Sequence, residues 1–229
     1  MVTVVDNLRR LWEKIEIAAA QTGRNSRDIC LVAVTKQVPL LLVEQAIAAG
    51  VADFGENKMQ EARSKISTLT SPARWHMIGH LQTNKAREAV GVFDLIQSVD
   101  SVRLAEEINR QAARIGKSQE ILVQVNTSAE PQKSGCRAED MDQLVEKVCD
   151  MPAIRLRGLM TIGPLTEDRG RISASFRRLK AEFDRLAQTP WGRDSMKYLS
   201  MGMSGDFEVA LAEGANMLRI GTAIFGPRQ

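Results

Sequence analysis

Of the ten lysines in the chain, only Lys36 directly ends a long apolar run, LVAVTK. If that run is a strand, Lys36 shares a side with Val32 and Val34, while Leu31, Ala33 and Thr35 take the other. A lysine drawn partly out of water has a lowered pKa and becomes an amine nucleophile suited to Schiff-base formation. The plainer alternative is a strand-end lysine that snorkels to solvent. A second segment, SMGMSGDFEVALAEG, runs from a strand through a Gly/Ser turn into a helix. Ser204 is placed to cap that helix, and Gly202 and Gly205 let the backbone come close to a ligand. Unpaired N–H groups at such a turn suit an anion, phosphate above all. In NMLRIGTAIFG, Arg219 shares the side of Met217 and Gly221, with Leu218 and Ile220 opposite. A guanidinium aimed inward needs a partner, either a carboxylate or a ligand acceptor. Gly221 and Thr222 form a second small-residue turn beside the first, able to complete a phosphate cradle.

Three further segments carry polar groups near strand ends. His80 lies just past the strand in WHMIGHLQTNK, whereas His76, earlier in it, suits a satisfied core histidine. Asn57, in GENKMQE, follows a strand end and fits either a ligand contact or a helix cap. In VNTSAEPQKSG, Gln124 and Asn126 interrupt an apolar strand as inward polar groups.

The elements that must position these residues alternate regularly. Strand patterns fall at 29–35, 52–55, 74–79, 94–99, 120–126, 154–162, 197–201 and 216–221. Between them lie amphipathic stretches such as SVRLAEEINRQAARIG, DMDQLVEKVCDM and ASFRRLKAEFDRLAQ. Gly23, Gly50, Gly116 and Gly214 sit where helices should stop. An additional helix leads the chain, with Val4, Leu8, Leu11, Trp12, Ile15, Ala18 and Ala19 on one face. Parallel strands each need a crossover, and eight such units close a single α/β (β/α)8 TIM barrel over residues 1–229. The open doubly wound sheet is the rival, but KQVP stands after the first strand where that fold places a Gly-rich turn. In a barrel, chemistry collects at the C-terminal ends of the strands, and phosphate sites often follow strands 7 and 8. Lys36, Ser204, Gly205, Arg219, Gly221 and Thr222 all fall there.

Composition narrows the classes. Lys plus Arg is 31 against 28 for Asp plus Glu, and that net charge of +3 does not describe a nucleic-acid surface. No apolar run reaches the roughly 18 residues of a membrane span. The charged, amphipathic start is not a signal peptide. Three separated cysteines and two histidines give no metal-ligand spacing, and point to reduced thiols in a cytoplasmic protein.

The segments VAVTKQVP, GENKMQE, WHMIGHLQTNK, VNTSAEPQKSG, GLMTIGP and LSMGMSGDFEVALAEGANMLRIGTAIFG together resemble the YggS/PROSC family of pyridoxal-phosphate-binding proteins. The resemblance covers nearly the whole chain in order, with small departures at Thr35, Gln37 and Met77. It implies a barrel like the N-terminal domain of alanine racemase. It also implies pyridoxal 5′-phosphate held on Lys36 as an internal aldimine. Ser204, Gly205, Gly221 and Thr222 would then bind the phosphate and Arg219 would face the pyridine nitrogen, with Asn57 and His80 near the ring. An arginine stays cationic and leaves that nitrogen unprotonated, a weaker electron sink than one paired with an acid.

The function implied is a non-catalytic cofactor carrier in pyridoxal phosphate homeostasis and amino-acid/keto-acid balance, with amino acids as possible small-molecule partners. The alternative is a pyridoxal-phosphate-dependent amino-acid racemase, which needs a second base opposite the lysine. The chain ends eight residues after Gly221, and its one tyrosine, Tyr198, precedes the middle of strand 7, far from the expected mouth. The same brevity favours a monomer. A weaker third reading is a sugar-phosphate barrel enzyme with His80 as its base.

Overall fold

The computed structural model describes residues 3–128, 130 and 134–227, so part of the VNTSAEPQKSG motif (129 and 131–133) lies outside the described residues. Eight parallel strands close into a barrel in sequence order. They are β1 (Cys30–Val34), β2 (Asp53–Glu56), β3 (Arg74–Met77), β4 (Leu95–Val99), β5 (Gln119–Gln124), β6 (Ile154–Met160), β7 (Tyr198–Ser200) and β8 (Met217–Ile220). Closure comes from β8 against β1, where Val32 pairs with Arg219 and Ala33 with Ile220. The leading helix α1 (Val4–Gln21) and the crossover helices α2 (Leu40–Ala48), α3 (Met59–Thr68), α4 (Ala86–Val92), α5 (Val102–Arg114), α6 (Met141–Cys149), α7 (Arg169–Ala187) and α8 (Phe207–Ala212) surround it. A last turn, α9 (Thr222–Phe225), follows β8.

The apolar pattern of each strand divides as alternation requires. Val32, Leu95, Leu122, Met160 and Met217 fill the barrel interior. Leu31, Ala33, Phe54, Leu218 and Ile220 pack outward into the layer shared with the helices. Both layers exclude water, and their burial supplies most of the driving force for the fold. α1 buries Val4, Leu8, Leu11, Ile15, Ala18 and Ala19, leaving Trp12 only partly covered. A capping box between Thr3 and Asp6 starts it. Asn7 Nδ2 donates to the Ile224 carbonyl, tying α1 to the chain end beside the site. The four glycines expected at helix ends all have positive φ, between 66° and 97°. α7 begins earlier than its apolar period suggests, because Asp168 accepts from the Gly170 and Arg171 amides and so makes the polar RGR a first turn.

Candidate functional site

Lys36 follows β1 at the C-terminal end of the barrel and is half-buried. It lies in a turn two residues past the strand, whose inward side carries Val32 of the interior cluster. The turn that carries it is held from below. Thr35 Oγ1 donates to Glu56 Oε1 at 2.6 Å, and Lys65 Nζ donates to the same oxygen at 2.6 Å and to the Thr35 carbonyl at 2.5 Å. Glu56 is fully buried, and its second oxygen has no partner among the described residues. Gln37 adopts φ 59°, rare for a residue with a side chain, and its N–H donates to Glu61 Oε2 at 2.9 Å. Two of the departures from the family pattern, Thr35 and Gln37, thus lie in the support of this turn.

The two turns after β7 and β8 lie against each other. Ser204 does not cap α8, as the sequence suggested. Asp206 occupies the cap position, and its carboxylate accepts from the Met203 amide at 2.5 Å. Ser204 Oγ instead accepts from the Ala223 amide at 3.3 Å, joining the first turn to the start of α9. The N–H groups of Ser204, Gly205, Gly221 and Thr222 donate to nothing among the described residues. α8 and α9 are too short to bring much dipole beyond those N–H groups. The two glycines of the first turn play different parts. Gly202 has φ 94°, and a Cβ there would come within 2.6 Å of the Ala210 Cβ, so it serves the packing of α8. A Cβ on Gly205 would meet nothing within 4 Å, so this glycine faces open space. Gly221 packs beside Val34 of β1, two residues before Lys36. A cleft of about 610 Å³ lies along the outer side of the Ser204–Gly205 turn and does not include Lys36.

Arg219 is 4% exposed and points into the barrel. Among the described residues its hydrogen-bond partners are a hydroxyl and a backbone carbonyl rather than a carboxylate. Nη1 donates to Ser200 Oγ at 2.6 Å and Nη2 to the Thr161 carbonyl at 2.7 Å. Burial pushes its pKa down to about 10, opposed by the charge of Asp206, so it remains a cation at neutral pH. Burial in turn raises the Asp206 carboxyl, which the Met203 amide and Arg219 partly offset.

His76 is a satisfied core residue: Gln97 Nε2 donates to its Nδ1 at 2.8 Å, and its Nε2 meets Asp53 Oδ1 at 2.9 Å. His80 is more than half exposed and turns its Nδ1 toward Asp100 Oδ2, 3.6 Å away. Asn57 is half-buried and does not cap α3, whose cap position is Lys58. Gln124 and Asn126, expected as inward polar groups near the mouth, hydrogen-bond to the segment after β5. Gln124 Nε2 donates to the Ser134 carbonyl at 3.0 Å, and Asn126 Nδ2 to the Glu130 carbonyl at 2.8 Å. Tyr198 lies at the opposite, N-terminal end, within 3.4 Å of Arg74 Nη1, and beside it Cys30 is pushed up to about 12 by burial and by Asp53. The sequence reasoning missed Gln97, Ser200 and the Glu56–Lys65 pair. For Gln97 the available signal was a polar side chain inside the apolar strand LIQSV.

Lys36, Gly221 and Thr222, and Ser204 and Gly205 therefore stand on the neighbouring strands β1, β8 and β7, with Asn57 and His80 continuing the arc on β2 and β3. A half-buried amine, N–H donors without partners among the described residues and a buried inward cation are thus gathered toward one end of a barrel of the alanine racemase N-terminal type. The family model "Alanine racemase, N-terminal domain" matches residues 7–229. A pyridoxal phosphate homeostasis protein of Pseudomonas aeruginosa is 41% identical over 229 residues, covering 100% of this chain and 97% of the relative. The solved structure of PipY from Synechococcus elongatus with pyridoxal phosphate bound is 37% identical at TM-score 0.82, covering 93% of this chain and 100% of that one. An alanine racemase of Clostridium difficile, 16% identical at TM-score 0.76 over 97% of this chain and 56% of its own, shares the fold. The chain belongs to the pyridoxal phosphate homeostasis protein family.

Proposed function

We propose that this chain holds pyridoxal 5′-phosphate as a Schiff base on Lys36 and serves intracellular pyridoxal phosphate homeostasis and amino-acid/keto-acid balance as a carrier rather than a catalyst. The observation that carries this reading is the convergence of donors on one rim. The unpaired N–H groups of Ser204, Gly205, Gly221 and Thr222 stand on the two strands next to that of Lys36. Such a donor set suits a dianionic phosphate, and the open space at Gly205 admits it. When bound, the cofactor supplies an aldehyde carbon for reversible exchange between amines.

The residues of this chain then divide the work. Lys36 provides the amine, and the Thr35 turn beneath it is fixed by Lys65 and Glu56. Arg219 meets the pyridine nitrogen as a charged donor, which disfavours a proton there and restrains carbanion chemistry. Asn57 and His80 flank the ring from β2 and β3. Residues 1–229 act as one unit, a cytoplasmic monomer with amino acids as exchange partners. Among the described residues no helix is long and apolar enough to cross a membrane.

The racemase reading needs a base facing Lys36, and the single tyrosine of the chain lies at the far end of the barrel beside Arg74. Two measurements separate the readings. Purified protein should be yellow, and Lys36→Ala colourless; equal colour in both refutes the cofactor assignment. Incubation with L-alanine in deuterated water should give slow Cα exchange and no D-alanine. Rapid exchange with accumulation of the D isomer would establish a racemase.

A further inference from the structure

Among the described residues the buried guanidinium of Arg219 has no carboxylate in hydrogen-bonding contact, yet a chain of side chains leads from it through the barrel to one. Arg219 Nη1 donates to Ser200 Oγ at 2.6 Å, and Ser200 Oγ donates to Gln97 Oε1 at 2.7 Å. Gln97 Nε2 donates to His76 Nδ1 at 2.8 Å, and His76 Nε2 meets Asp53 Oδ1 at 2.9 Å. Ser200, Gln97 and His76 are each fully buried.

The direction of every bond is forced by its ends. A guanidinium has no acceptor, so Ser200 must accept from it and give its one proton onward. The Gln97 carbonyl takes that proton, which turns its amide N–H toward His76. Nδ1 can then only accept, and the ring proton sits on Nε2, facing Asp53. Four residues on β8, β7, β4 and β3 thus donate in one sense, from a buried cation to the accepting carboxylate of Asp53 on β2 at the opposite end. Aligned donors polarise one another in a low-dielectric interior. The carboxylate itself is well supported: burial raises Asp53, but the His76 hydrogen bond and the Arg74 guanidinium outweigh this and hold it below the usual carboxylate range.

We infer that Ser200, Gln97, His76 and Asp53 are positioning residues for Arg219, holding the guanidinium in one orientation through an unbroken series of hydrogen bonds anchored on a carboxylate across the barrel. The arrangement has a functional sense. A carboxylate in direct contact would neutralise the cation and hold it to one side, whereas the relay leaves Nε–H without a partner among the described residues. This inference rests on the proposed cofactor reading for its consequence, but the fixing of Arg219 is a property of the protein alone.

The test uses full-length protein with and without pyridoxal phosphate. Gln97→Leu cuts the chain two residues from Arg219. In the apoprotein, the Arg219 guanidinium protons followed by nitrogen-resolved NMR should exchange with solvent about ten-fold faster in Gln97→Leu. Ser200→Ala should do the same, and Ser200→Thr, which keeps the hydroxyl, should restore slow exchange. In the holoprotein at fixed neutral pH, Gln97→Leu should change the ratio of the two cofactor absorption bands about two-fold, as a loosened cation permits. The same substitution in an Arg219→Lys background should add no further change, because it acts through Arg219. Wild-type exchange and spectra in Gln97→Leu would overturn the inference, as would a spectral change equal in both backgrounds. Wild-type protein that takes up no cofactor would refute the carrier reading instead, and the apoprotein exchange rates alone would then decide the role of the chain.

Discussion

Lys65 and Glu56 show how much a single side chain here depends on its partner. Lys65 Nζ lies 2.6 Å from a fully buried carboxylate, and its own side chain is 11% exposed. Removing one member of a buried ion pair leaves an uncompensated charge, at a cost of about 3–5 kcal/mol, whereas replacing both by apolar groups is often near neutral. Urea denaturation should therefore show Lys65→Met strongly destabilised and the double variant Glu56→Leu/Lys65→Met largely recovered. A Lys65→Met protein as stable as the wild type would mean that the pair does not support the fold. Because Lys65 also binds the Thr35 carbonyl, the double variant should hold the cofactor more weakly even where its stability returns. Sequence alone could not reveal this pair. Nine residues separate Glu56 from Lys65, and only the packing of α3 over the ends of β1 and β2 brings them together.

At the scale of elements, the two glycines of the turn after β7 predict opposite outcomes. Gly202→Ala forces a side chain into left-handed backbone and against Ala210, so it should lower stability by about 1–3 kcal/mol. Gly205→Ala meets no atom within 4 Å and should fold as the wild type does. Its methyl group would occupy space the phosphate needs, so affinity for pyridoxal phosphate should fall about ten-fold by equilibrium titration. Equal binding by both proteins would show that the phosphate lies elsewhere. The strands, their order and the inward side of Val32 and Arg219 were legible in the sequence, because apolar alternation and glycine stops fix them locally. The side-chain bond of Ser204 was not. The sequence places it before α8, while its partner amide belongs to Ala223, nineteen residues on, and only barrel closure sets those turns side by side. The partners of Gln124 and Asn126 were hidden for a related reason: the accepting carbonyls of Ser134 and Glu130 lie on the segment that follows the strand.

For the whole molecule, pairing around the barrel is uneven. β5 and β6 share a long register from Gln119–Ile154 to Gln124–Met160, whereas β7 and β8 share only the pair Ser200–Met217. Asn216 mends that seam, with Oδ1 accepting from the Leu199 amide at 2.7 Å and Nδ2 donating to the Lys197 carbonyl at 2.8 Å. Native-state hydrogen exchange should find the slowest amides in β5 and β6 and faster opening at the β7–β8 seam, which carries the proposed phosphate turns. Bound pyridoxal phosphate should slow exchange at that seam more than in β5, since the ligand stabilises the state it binds. Uniform protection around the barrel would argue against a site built on its looser side.

The central claim is that the cofactor is held on one particular amine, and reductive trapping tests it most directly. Borohydride reduction of the pyridoxal phosphate complex, followed by peptide mass analysis, should place a single phosphopyridoxyl group on Lys36, at about one per chain. Label spread over several lysines, or found on any other one, would contradict the account.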